Sequence, residues 1–465
     1  MKPVDEYLNQ VLAQVNSLPP TVMPVAEALG ATLAEDVFAR FPVPPFTNSA
    51  MDGFAVRSGD LPNVLENTSA PTATQTEIPA EPVPAAAPSP AESLSAPGDD
   101  GAKKTLPLTL PVEADIAAGD NGDYQLTPGH AIRIMTGARM PTGADTVIKV
   151  EDTTLPPGPL DLPKEVTIER CPRAGANVRK AGEDAAVGDL VLTAGTVLTP
   201  AALSSAVSIG YSELPVYRRP RVAVISTGLE LRPAGASLKG AQIPDSNSVL
   251  LEALLRRQEV VVSGVYSSDD EPEVFAKTLS QAAQGADLIV TTGGVSAGAY
   301  DVVKQVGLSG GLVFTKVAMQ PGKPQGFGTI PAPDGAKVYV ATLPGNPVSV
   351  FVSFHVFVRP VLTALAGKQG RAALQRRGPL SGAALQTRAA TTKVAWKSPA
   401  GKRQFVPVHL TEAERVGDTP TVTPTHRLGA RSHFVASLHQ ANALAIIPED
   451  VTEVEQWSLV DVLPC

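Results

Sequence analysis

The sequence predicts a multidomain α/β protein whose central domain is a doubly wound sheet. Three short apolar segments, Arg221–Gly228, Asp287–Gly294 and Lys337–Gly345, each end in a loop that contains glycine, and segments with helical periodicity lie between them. Alternation of strands and helices is typical of a mostly parallel sheet with helices on both faces. The regions before and after this domain are expected to be rich in β-structure.

The segment Asp287–Gly294 is the centre of this interpretation. Leu288, Ile289 and Val290 suit a strand that is covered on both faces. Gly293 and Gly294 then permit backbone conformations and close approaches that a Cβ atom would forbid. Ligands of open parallel sheets bind at the carboxyl ends of the strands, so the loop is a candidate binding site, and a purely structural turn is the alternative.

The helices of this domain are predicted from their apolar spacing. Helices are expected over Val249–Arg257 and Pro272–Ala283, and another begins at Val302. The free N–H groups at the start of the last helix favour an anion. The third glycine loop, Pro344–Pro347, precedes an apolar run from Val348 to Val358.

Composition excludes several classes of protein. The chain has 465 residues and a net charge of −8, with no run of Lys and Arg, which argues against general binding of nucleic acid. Two cysteines, Cys171 and Cys465, provide neither metal-ligand spacing nor a disulfide framework. An anionic ligand must therefore be held by local donors.

Nothing in the sequence predicts secretion or a membrane span. The first residues lack a basic region followed by an apolar core. The run Val348–Val358 is too short to span a bilayer and is expected to be closed by Arg359-Pro360. A cytoplasmic protein without a membrane partner is the expectation.

The first forty residues are expected to form two helices. Apolar residues between Val4 and Val15 share one helical face, and Pro19-Pro20 stops that helix. A second helix is predicted over Pro24–Leu29, with Gly30 ending it.

The loop that follows presents Asp52 within Ser49-Ala-Met-Asp-Gly53. An ordinary Asp-Gly turn is the alternative interpretation of this residue. Strands are expected around Ile132 and over Thr146–Val150, and Thr136 follows the first of them. Between Gly188 and Gly210 we expect a strand pair and then a helix starting near Thr199-Pro200.

Two regions differ in character from the rest. Residues 61–105 are rich in Pro, Ala, Ser and Thr without periodicity, which predicts a disordered insertion. The last hundred residues hold short alternating runs separated by Pro and Gly, which predict a small β domain or barrel.

Seven motifs of this chain occur in the order, and near the spacing, of the molybdopterin molybdenumtransferases. The sequence resembles the MoeA family, which also contains the E domain of gephyrin. The motifs are Ser49-Ala-Met-Asp-Gly53, Arg133-Ile-Met-Thr-Gly-Ala138, Gly182-Glu-Asp184, Ser226-Thr-Gly228, Gly293-Gly-Val-Ser-Ala-Gly298, Pro321-Gly-Lys-Pro324 and Leu343-Pro-Gly-Asn-Pro-Val-Ser349.

The resemblance implies an elongated homodimer of four-domain subunits. A discontinuous N-terminal domain would comprise residues 1–45 and 140–215, with a β-rich domain, 46–139, inserted in it. Residues 216–367 would form the molybdopterin-binding α/β domain, with the fold of MoaB and MogA, and residues 368–465 the C-terminal β domain.

The resemblance also implies a reaction. Molybdate is placed on the dithiolene of adenylylated molybdopterin, and the adenylate is hydrolysed with release of AMP and molybdenum cofactor. Mg²⁺ is the implied assisting metal. Molybdopterin adenylyltransferase and molybdoenzyme acceptors are the implied partners, and nucleic acid is not.

Matching by motif places functional roles on residues of this chain. The implied catalytic residues are Asp52, Thr136, Glu230, Asp270 and Asp301, of which Glu230, Asp270 and Asp301 would hold the metal. Because the implied cleft is built across the dimer, Asp52 and Thr136 would serve the partner's site. The implied substrate-binding residues are Ser226, Thr227, Gly228, Gly293, Gly294, Ser296, Lys316, Lys323, Pro344 and Pro347.

These residue types suit the cleavage of a pyrophosphate, in which positioning and electrostatics supply most of the catalysis. Structural alternatives are open for several of them. Asp270 and Asp301 precede predicted helices and are alternatively their N-caps. Lys316 and Lys323 are alternatively surface charges.

The chain departs from the family pattern at three positions. Leu229 and Ala299 stand where relatives often carry an acidic residue, and Gln320 replaces a common lysine. These changes are expected to affect metal affinity or nucleotide preference more than the class of reaction.

Two other functions stay open. An adenylyltransferase or pyrophosphatase like MogA would share the α/β fold but would not need the Ser49–Gly53 motif. A non-catalytic scaffold like gephyrin would not need the set of carboxylates and lysines.

Overall fold

The computed structural model describes residues 1–62, 106–294, 302–309, 311–368, 387–413, 415, 419–426 and 431–465. They form two compact units. The larger unit comprises Met1–Val37, Leu190–Val207 and Tyr211–Cys465, and the smaller unit comprises Phe38–Asp189 and Ser208–Gly210. Residues 63–105, which hold most of the predicted insertion, lie outside the described residues. The four domain boundaries expected from the sequence stay a prediction.

A six-stranded mixed sheet forms the centre of the larger unit. Four neighbouring strands are parallel, and the last two continue the sheet antiparallel. In spatial order the strands are Val261–Ser268, Arg221–Thr227, Leu288–Thr292, Lys337–Leu343, Pro324–Pro331 and Val313–Lys316. The three strands predicted from the apolar segments are thus confirmed as adjacent members of one sheet.

Helices cover both faces of this sheet. Side chains of successive strand residues point to opposite faces, and both faces are apolar here, so both are packed against helices. Val222 and Val224 pack in the apolar core that contains the helices Ser246–Arg256 and Pro347–Ser353. Ala223 packs in the core that contains Pro272–Ala283 and Val302–Ser309. The predicted doubly wound architecture is confirmed.

The apolar run after the third glycine loop does not stop at Arg359-Pro360, so that expectation was wrong. Helix Pro347–Ser353 continues through a π-helical turn, Phe354–Val358, into helix Arg359–Leu365. The wider turn lies just before Pro360, where an α-helical turn would press the proline ring against a carbonyl group. This helix, 347–365, is long and apolar enough to cross a membrane by length and composition only, and 89% of its apolar window is buried inside the protein.

The N-terminal segment contains one helix, not two. It spans Val4–Leu12 and ends before the two prolines. The predicted helix over Pro24–Leu29 is wrong, because Pro20–Pro24 is a strand that pairs antiparallel with Glu213–Tyr217. Only a 3₁₀ turn, Val25–Glu27, fits between that strand and Gly30. Further along, the predicted helix begins at Pro200 and ends at Ser208, but a single strand, Leu190–Leu192, precedes it.

The C-terminal region is a closed β-barrel, which confirms the predicted β domain. Its strands follow one another around the barrel in the order Arg403–Thr411, Thr421–Pro424, Arg388–Thr392, Leu459–Pro464 and Ala443–Ile447, and the last pairs with the first. The short strand Met319–Gln320 pairs in parallel with Arg403 and Gln404 at the start of the first barrel strand. The barrel is therefore joined by backbone hydrogen bonds to a loop of the α/β domain.

The smaller unit is built on a five-stranded sheet, which confirms the β-rich N-terminal region. In spatial order its strands are Thr146–Lys149, Gly53–Val56, Ala131–Ile134, Leu108–Ile116 and Glu165–Ile168. The remaining short strands of the chain are Val37–Phe38, Asn48–Ser49, Val178–Arg179, Leu231–Arg232, Ile243–Pro244, Trp396–Lys397 and Glu453–Val454, and further 3₁₀ turns are Ser58–Asp60, Val150–Asp152 and Val435–Gln440.

Candidate functional site

A cavity of about 800 Å³ opens at the carboxyl ends of the parallel strands in the larger unit. The three glycine loops of the α/β domain line it, together with Lys402 and Ser432 from the barrel region. The lining includes nine of the residues predicted from the sequence: Thr227, Gly228, Glu230, Asp270, Gly293, Gly294, Lys323, Pro344 and Pro347. Sequence segments that are far apart thus meet at the edge of the sheet where a ligand was expected.

The Gly293-Gly294 pair has a structural reason to be glycine. Both residues have positive φ angles, +97° and +61°. A Cβ atom on Gly293 would lie 2.5 Å from the carbonyl oxygen of Thr227, and one on Gly294 would lie 2.5 Å from Cγ2 of Val303. The absence of side chains therefore lets this loop pack directly against the end of the neighbouring strand.

Two predicted carboxylates flank the loop after strand Arg221–Thr227. Asp270 accepts a hydrogen bond from the backbone N–H of Leu229 at 3.2 Å. It is not an N-cap, because Glu271 occupies that position of helix Pro272–Ala283 and makes no side-chain bond there. The carboxylate of Glu230 folds back over Gly228, where a Cβ atom would lie 2.6 Å from Oε2.

The start of helix Ser246–Arg256 contributes residues that the sequence analysis missed. Asp245 caps this helix by accepting from the N–H of Ser248, and it also accepts from the hydroxyl of Ser226 at 2.6 Å. Ser226 lies within the buried strand Arg221–Thr227, is fully buried, and is not part of the cavity lining. An Asp directly before an amphipathic segment is a typical N-cap, and that signal was available in the sequence.

Asn247 joins two of the ligand loops from the same helix. Its Nδ2 donates to the hydroxyl of Thr292 at 3.1 Å and to the carbonyl oxygen of Gly345 at 2.6 Å. Thr292 in turn donates to the carbonyl oxygen of Pro344 at 3.4 Å. The end of the central strand and the Pro-Gly turn are thus tied together by one side chain.

The structure separates the two predicted lysines. Lys323 lines the cavity, whereas Lys316 is an exposed residue at the end of strand Val313–Lys316 and is not part of the lining. Lys402 supplies a second cation in the lining. It comes from the barrel, so no local pattern around the predicted loops pointed to it.

The residues that line the cavity fit Mg²⁺ in their donor chemistry. This ion is usually held by one or two carboxylates together with water and substrate phosphates. Glu230 and Asp270 provide two carboxylates at one side of the cavity. The described ranges contain no cluster of three or more His, Cys, Asp or Glu residues that could hold a metal. Asp301, the third predicted ligand, and Ser296 lie outside those ranges.

Asp52 and Thr136 meet in the smaller unit. The turn before strand Gly53–Val56 places Oδ1 of Asp52 at 2.6 Å from the backbone nitrogen and 2.8 Å from the hydroxyl of Thr136. These two hydrogen bonds hold the pKa of Asp52 below its usual value. Both residues line a second cavity of about 840 Å³, whose wall includes the proline-rich segment from Leu155 to Pro163.

Three family models match consecutive parts of the chain. The MoeA N-terminal region (domain I and II) matches residues 2–210, the probable molybdopterin binding domain matches residues 223–364, and the MoeA C-terminal region (domain IV) matches residues 389–465.

Known proteins resemble the chain over most of its length. Molybdopterin molybdenumtransferase 2 of Mycobacterium tuberculosis is 38% identical over 99% of both chains. The molybdopterin molybdenumtransferase of Haemophilus influenzae is 34% identical over 74% of this chain and 72% of its own length. A crystal structure of the molybdopterin biosynthesis MoeA protein from Pyrococcus horikoshii superposes with a TM-score of 0.71 at 26% identity, covering 99% of this chain and 98% of that one. The chain therefore belongs to the MoeA family of molybdopterin molybdenumtransferases, enzymes of molybdenum cofactor biosynthesis.

Proposed function

We propose that this protein transfers molybdenum from molybdate to the dithiolene of adenylylated molybdopterin, with hydrolysis of the adenylate and release of AMP and molybdenum cofactor. The observation that carries the proposal is the composition of the cavity at the sheet edge. It combines two carboxylates, Glu230 and Asp270, with two lysines, Lys323 and Lys402, around three glycine loops. Molybdopterin and molybdate as substrates also fit the family to which the chain belongs.

The four charged side chains have two different roles in such a reaction. Lys323 and Lys402 offer positive charge to phosphate or molybdate oxygens, which attract ammonium groups. Glu230 and Asp270, together with Asp301, would hold Mg²⁺. When bound, Mg²⁺ would neutralise the charge that develops on the phosphate oxygens. No covalent nucleophile of the protein is required.

The glycine loops shape the cavity wall. The N–H groups of Gly228 and Gly293 donate to the carbonyl oxygens of Ser268 and Leu343 at 3.3 Å, and the absence of Cβ atoms lets these loops pack closely against the strand ends beside the cavity. Pro344 and Pro347 shape the turn on the opposite side of the central strand. We further propose that Asp52 and Thr136 act in the same reaction within a homodimer, that the protein is cytoplasmic, and that it exchanges substrate and product with molybdopterin adenylyltransferase and molybdoenzymes.

Release of AMP from adenylylated molybdopterin by the purified chain tests the proposal, with and without molybdate and Mg²⁺. Asp270→Asn and Glu230→Gln are expected to lower the rate at least tenfold. Asp269→Asn is the matched control, because Asp269 is adjacent to Asp270 but bonds to the N–H of Glu271 and is not part of the cavity lining. Equal losses in the control and in Asp270→Asn would contradict the assigned role.

Further measurements distinguish the molybdenumtransferase from the adenylyltransferase and scaffold alternatives. Lys323→Met is expected to weaken binding of molybdate or phosphate, and Lys316→Met, measured beside it, shows whether the lysine outside the lining contributes. Turnover of ATP without any dependence on molybdate would favour an adenylyltransferase. Ligand binding without release in every condition would favour a scaffold. Light scattering that gives the mass of one chain would contradict the homodimer.

A further inference from the structure

One segment forms much of the wall of the second cavity, which Asp52 and Thr136 line in the smaller unit. Eight of the lining residues belong to residues 155–163, the proline segment. Its prolines are Pro156, Pro157, Pro159 and Pro163. Proline has no backbone N–H, so this segment can donate few hydrogen bonds of its own. Its carbonyl oxygens are the main groups by which the rest of the unit can bind it.

Arg133 holds the proline segment by two of these oxygens. Its Nη1 donates to the carbonyl oxygen of Leu160 at 2.8 Å and to that of Asp161 at 3.2 Å. In the part of the chain that the structure describes, residues 156–163 take part in no other hydrogen bond. The hydrogen bonds that attach this wall of the cavity to the sheet therefore come from one side chain.

The rest of the Arg133 guanidinium binds Asp115. Its Nε donates to Oδ1 of Asp115 at 2.9 Å, and its Nη2 donates to Oδ2 of the same carboxylate. The two residues are paired on neighbouring parallel strands, Ala131–Ile134 and Leu108–Ile116. A bidentate contact between arginine and a carboxylate fixes the plane of the guanidinium. Asp115 therefore directs the remaining donors of Arg133 towards the proline segment.

Arg133 has little capacity left for an anion. A guanidinium carries five N–H groups, and four hydrogen bonds to Asp115 and to the proline segment already use them. Of the residues that the structure describes, Arg133 is the only cation in this lining, beside the carboxylates of Asp52, Glu151 and Asp161. The role of Arg133 therefore lies in its contacts with the protein, and attraction of a phosphate or of molybdate is not its role.

We propose that Arg133 is a positioning residue for the Asp52–Thr136 site, because it fixes the proline segment as a preformed wall against which the substrate packs. The inference rests on the proposed function, in which Asp52 and Thr136 act in the reaction, and it adds a residue that does not touch the substrate. A wall that is ordered before binding spares the substrate the free energy of ordering it.

Arg133→Leu is the direct test, because it removes all four hydrogen bonds and keeps an apolar side chain. The KM for adenylylated molybdopterin is expected to rise about threefold to tenfold, since the proline segment must then be ordered during binding. The kcat for release of AMP is expected to stay within about twofold, because the hydrogen bonds between Asp52 and Thr136 do not involve Arg133. A lower kcat at unchanged KM would overturn the inference.

Arg133→Lys distinguishes positioning from charge. Lysine keeps the positive charge, but its single ammonium group cannot reproduce the fork that binds a carboxylate and two carbonyl groups at once. The KM of this variant is expected to rise as in Arg133→Leu. Full recovery of the KM by lysine would show that the charge alone matters and would overturn the inference.

Asp145→Ala is the matched control for a general loss of stability in the smaller unit. Asp145 accepts hydrogen bonds from the backbone nitrogen and the hydroxyl of Ser58, at 2.7 and 2.6 Å, and it is not part of the cavity lining. Its KM is expected to equal that of the unmodified chain. An equal rise of KM in Asp145→Ala and in Arg133→Leu would overturn the inference.

Methyl NMR of the full chain labelled with ¹³C-methyl methionine gives a readout that does not depend on activity. Met51 and Met135 line the same cavity as the proline segment, whereas Met23 belongs to the larger unit. The signals of Met51 and Met135 are expected to shift in Arg133→Leu, and that of Met23 is expected to stay in place. Unchanged signals of Met51 and Met135 would overturn the inference.

The two readouts also separate this inference from the proposed function. If the unmodified chain shows molybdate-dependent release of AMP while Arg133→Leu keeps its KM and its methyl signals, this inference fails and the proposed function stands. Absence of AMP release from the unmodified chain in every condition would contradict the proposed function instead. Shifted methyl signals in Arg133→Leu would then still support the positioning of the wall by Arg133.

Discussion

Oδ1 of Asp52 accepts two hydrogen bonds from a single residue, Thr136, one from its backbone nitrogen at 2.6 Å and one from its hydroxyl at 2.8 Å. The two bonds stabilise the ionised carboxylate, because a carboxylate accepts hydrogen bonds more strongly than a carboxylic acid does. The low pKa of Asp52 is thus set by its partner rather than by burial, which acts in the opposite direction.

Replacement of Thr136 by Val should raise the pKa of Asp52 towards its ordinary value, because the hydroxyl bond is lost while the backbone bond stays. Carboxyl chemical shifts followed during an NMR titration report this pKa. Thr136→Ser keeps a hydroxyl and should leave the low pKa in place. An identical titration of the Val and Ser variants would show that the hydroxyl bond contributes nothing.

A second prediction concerns His355, which lies in the π-helical turn. Both ring nitrogens are buried without partners among the described residues, and burial together with Arg359 and Arg257 lowers the pKa of His355 to about 3. Between this value and the ordinary pKa of about 6.5, the unfolded chain binds more protons than the folded one. The free energy of unfolding therefore decreases as the pH falls from about 6.5 to about 3, by up to about 1.4 kcal/mol per pH unit.

His355→Leu should remove this dependence. Urea unfolding at pH 7 and at pH 5 measures it, and the unmodified chain should lose up to about 2 kcal/mol more than the variant over this interval. His439→Gln changes an exposed histidine and serves as the control, for which the loss should equal that of the unmodified chain. A variant at position 355 that loses as much stability as the unmodified chain would contradict the burial argument.

Gly294→Ala should destabilise the larger unit. Alanine at a φ of +61° is strained, and its Cβ would lie 2.5 Å from Cγ2 of Val303. The combined cost is expected to be about 2–4 kcal/mol in the free energy of unfolding. Gly195 also has a positive φ, +85°, but no atom lies within 4 Å of an added Cβ. The loss of stability in Gly195→Ala therefore measures the backbone strain alone. Equal losses in the two variants would mean that the loop relaxes around the new methyl group.

The two thiols should differ in reactivity. Burial raises the pKa of Cys465 to about 12, and burial together with Asp152 also raises that of the less buried Cys171. Because the thiolate is the reactive species, Cys465 should react with an aromatic disulfide at pH 8 only when denaturant is present. Cys171→Ser isolates the signal of Cys465. Rapid labelling of that variant without denaturant would show that the thiol is accessible.

The sequence predicted those parts of the fold that depend on local pattern. The strands before Gly228 and Gly293 are continuous apolar runs, and helix Pro272–Ala283 has the predicted bounds because a proline starts it and its apolar spacing is regular. The wrong helix prediction in the N-terminal segment has a different cause, since pairing with a distant partner overrides local preference. Pro20–Pro24 is a strand because Glu213–Tyr217 lies beside it.

The same reasoning applies to the site. Glu230 lies two residues after Gly228 and Lys323 lies within Pro321-Gly-Lys-Pro324, so the motifs indicated both residues. Asp270 was indicated by the family resemblance and directly follows the strand Val261–Ser268 and Asp269. Lys402 was not predictable, since it reaches the cavity only through the pairing of the barrel with the α/β domain. Asn247 was missed because its hydrogen bonds run to residues 45 and 98 positions away.

The parallel pairing between the barrel and the α/β domain joins Met319 to Arg403 and Gln320 to Gln404. Lys402 directly precedes one end of this ladder, and Lys323 follows the other strand by three residues. The register of these backbone hydrogen bonds therefore determines the spacing between Lys323 and Lys402, and side-chain packing does not. In a chimaera that carries the barrel of a relative, the lysine before the first barrel strand would reach the cavity only if the two residue pairs form in the same register. A slip by one residue would turn the adjoining side chains to the opposite face.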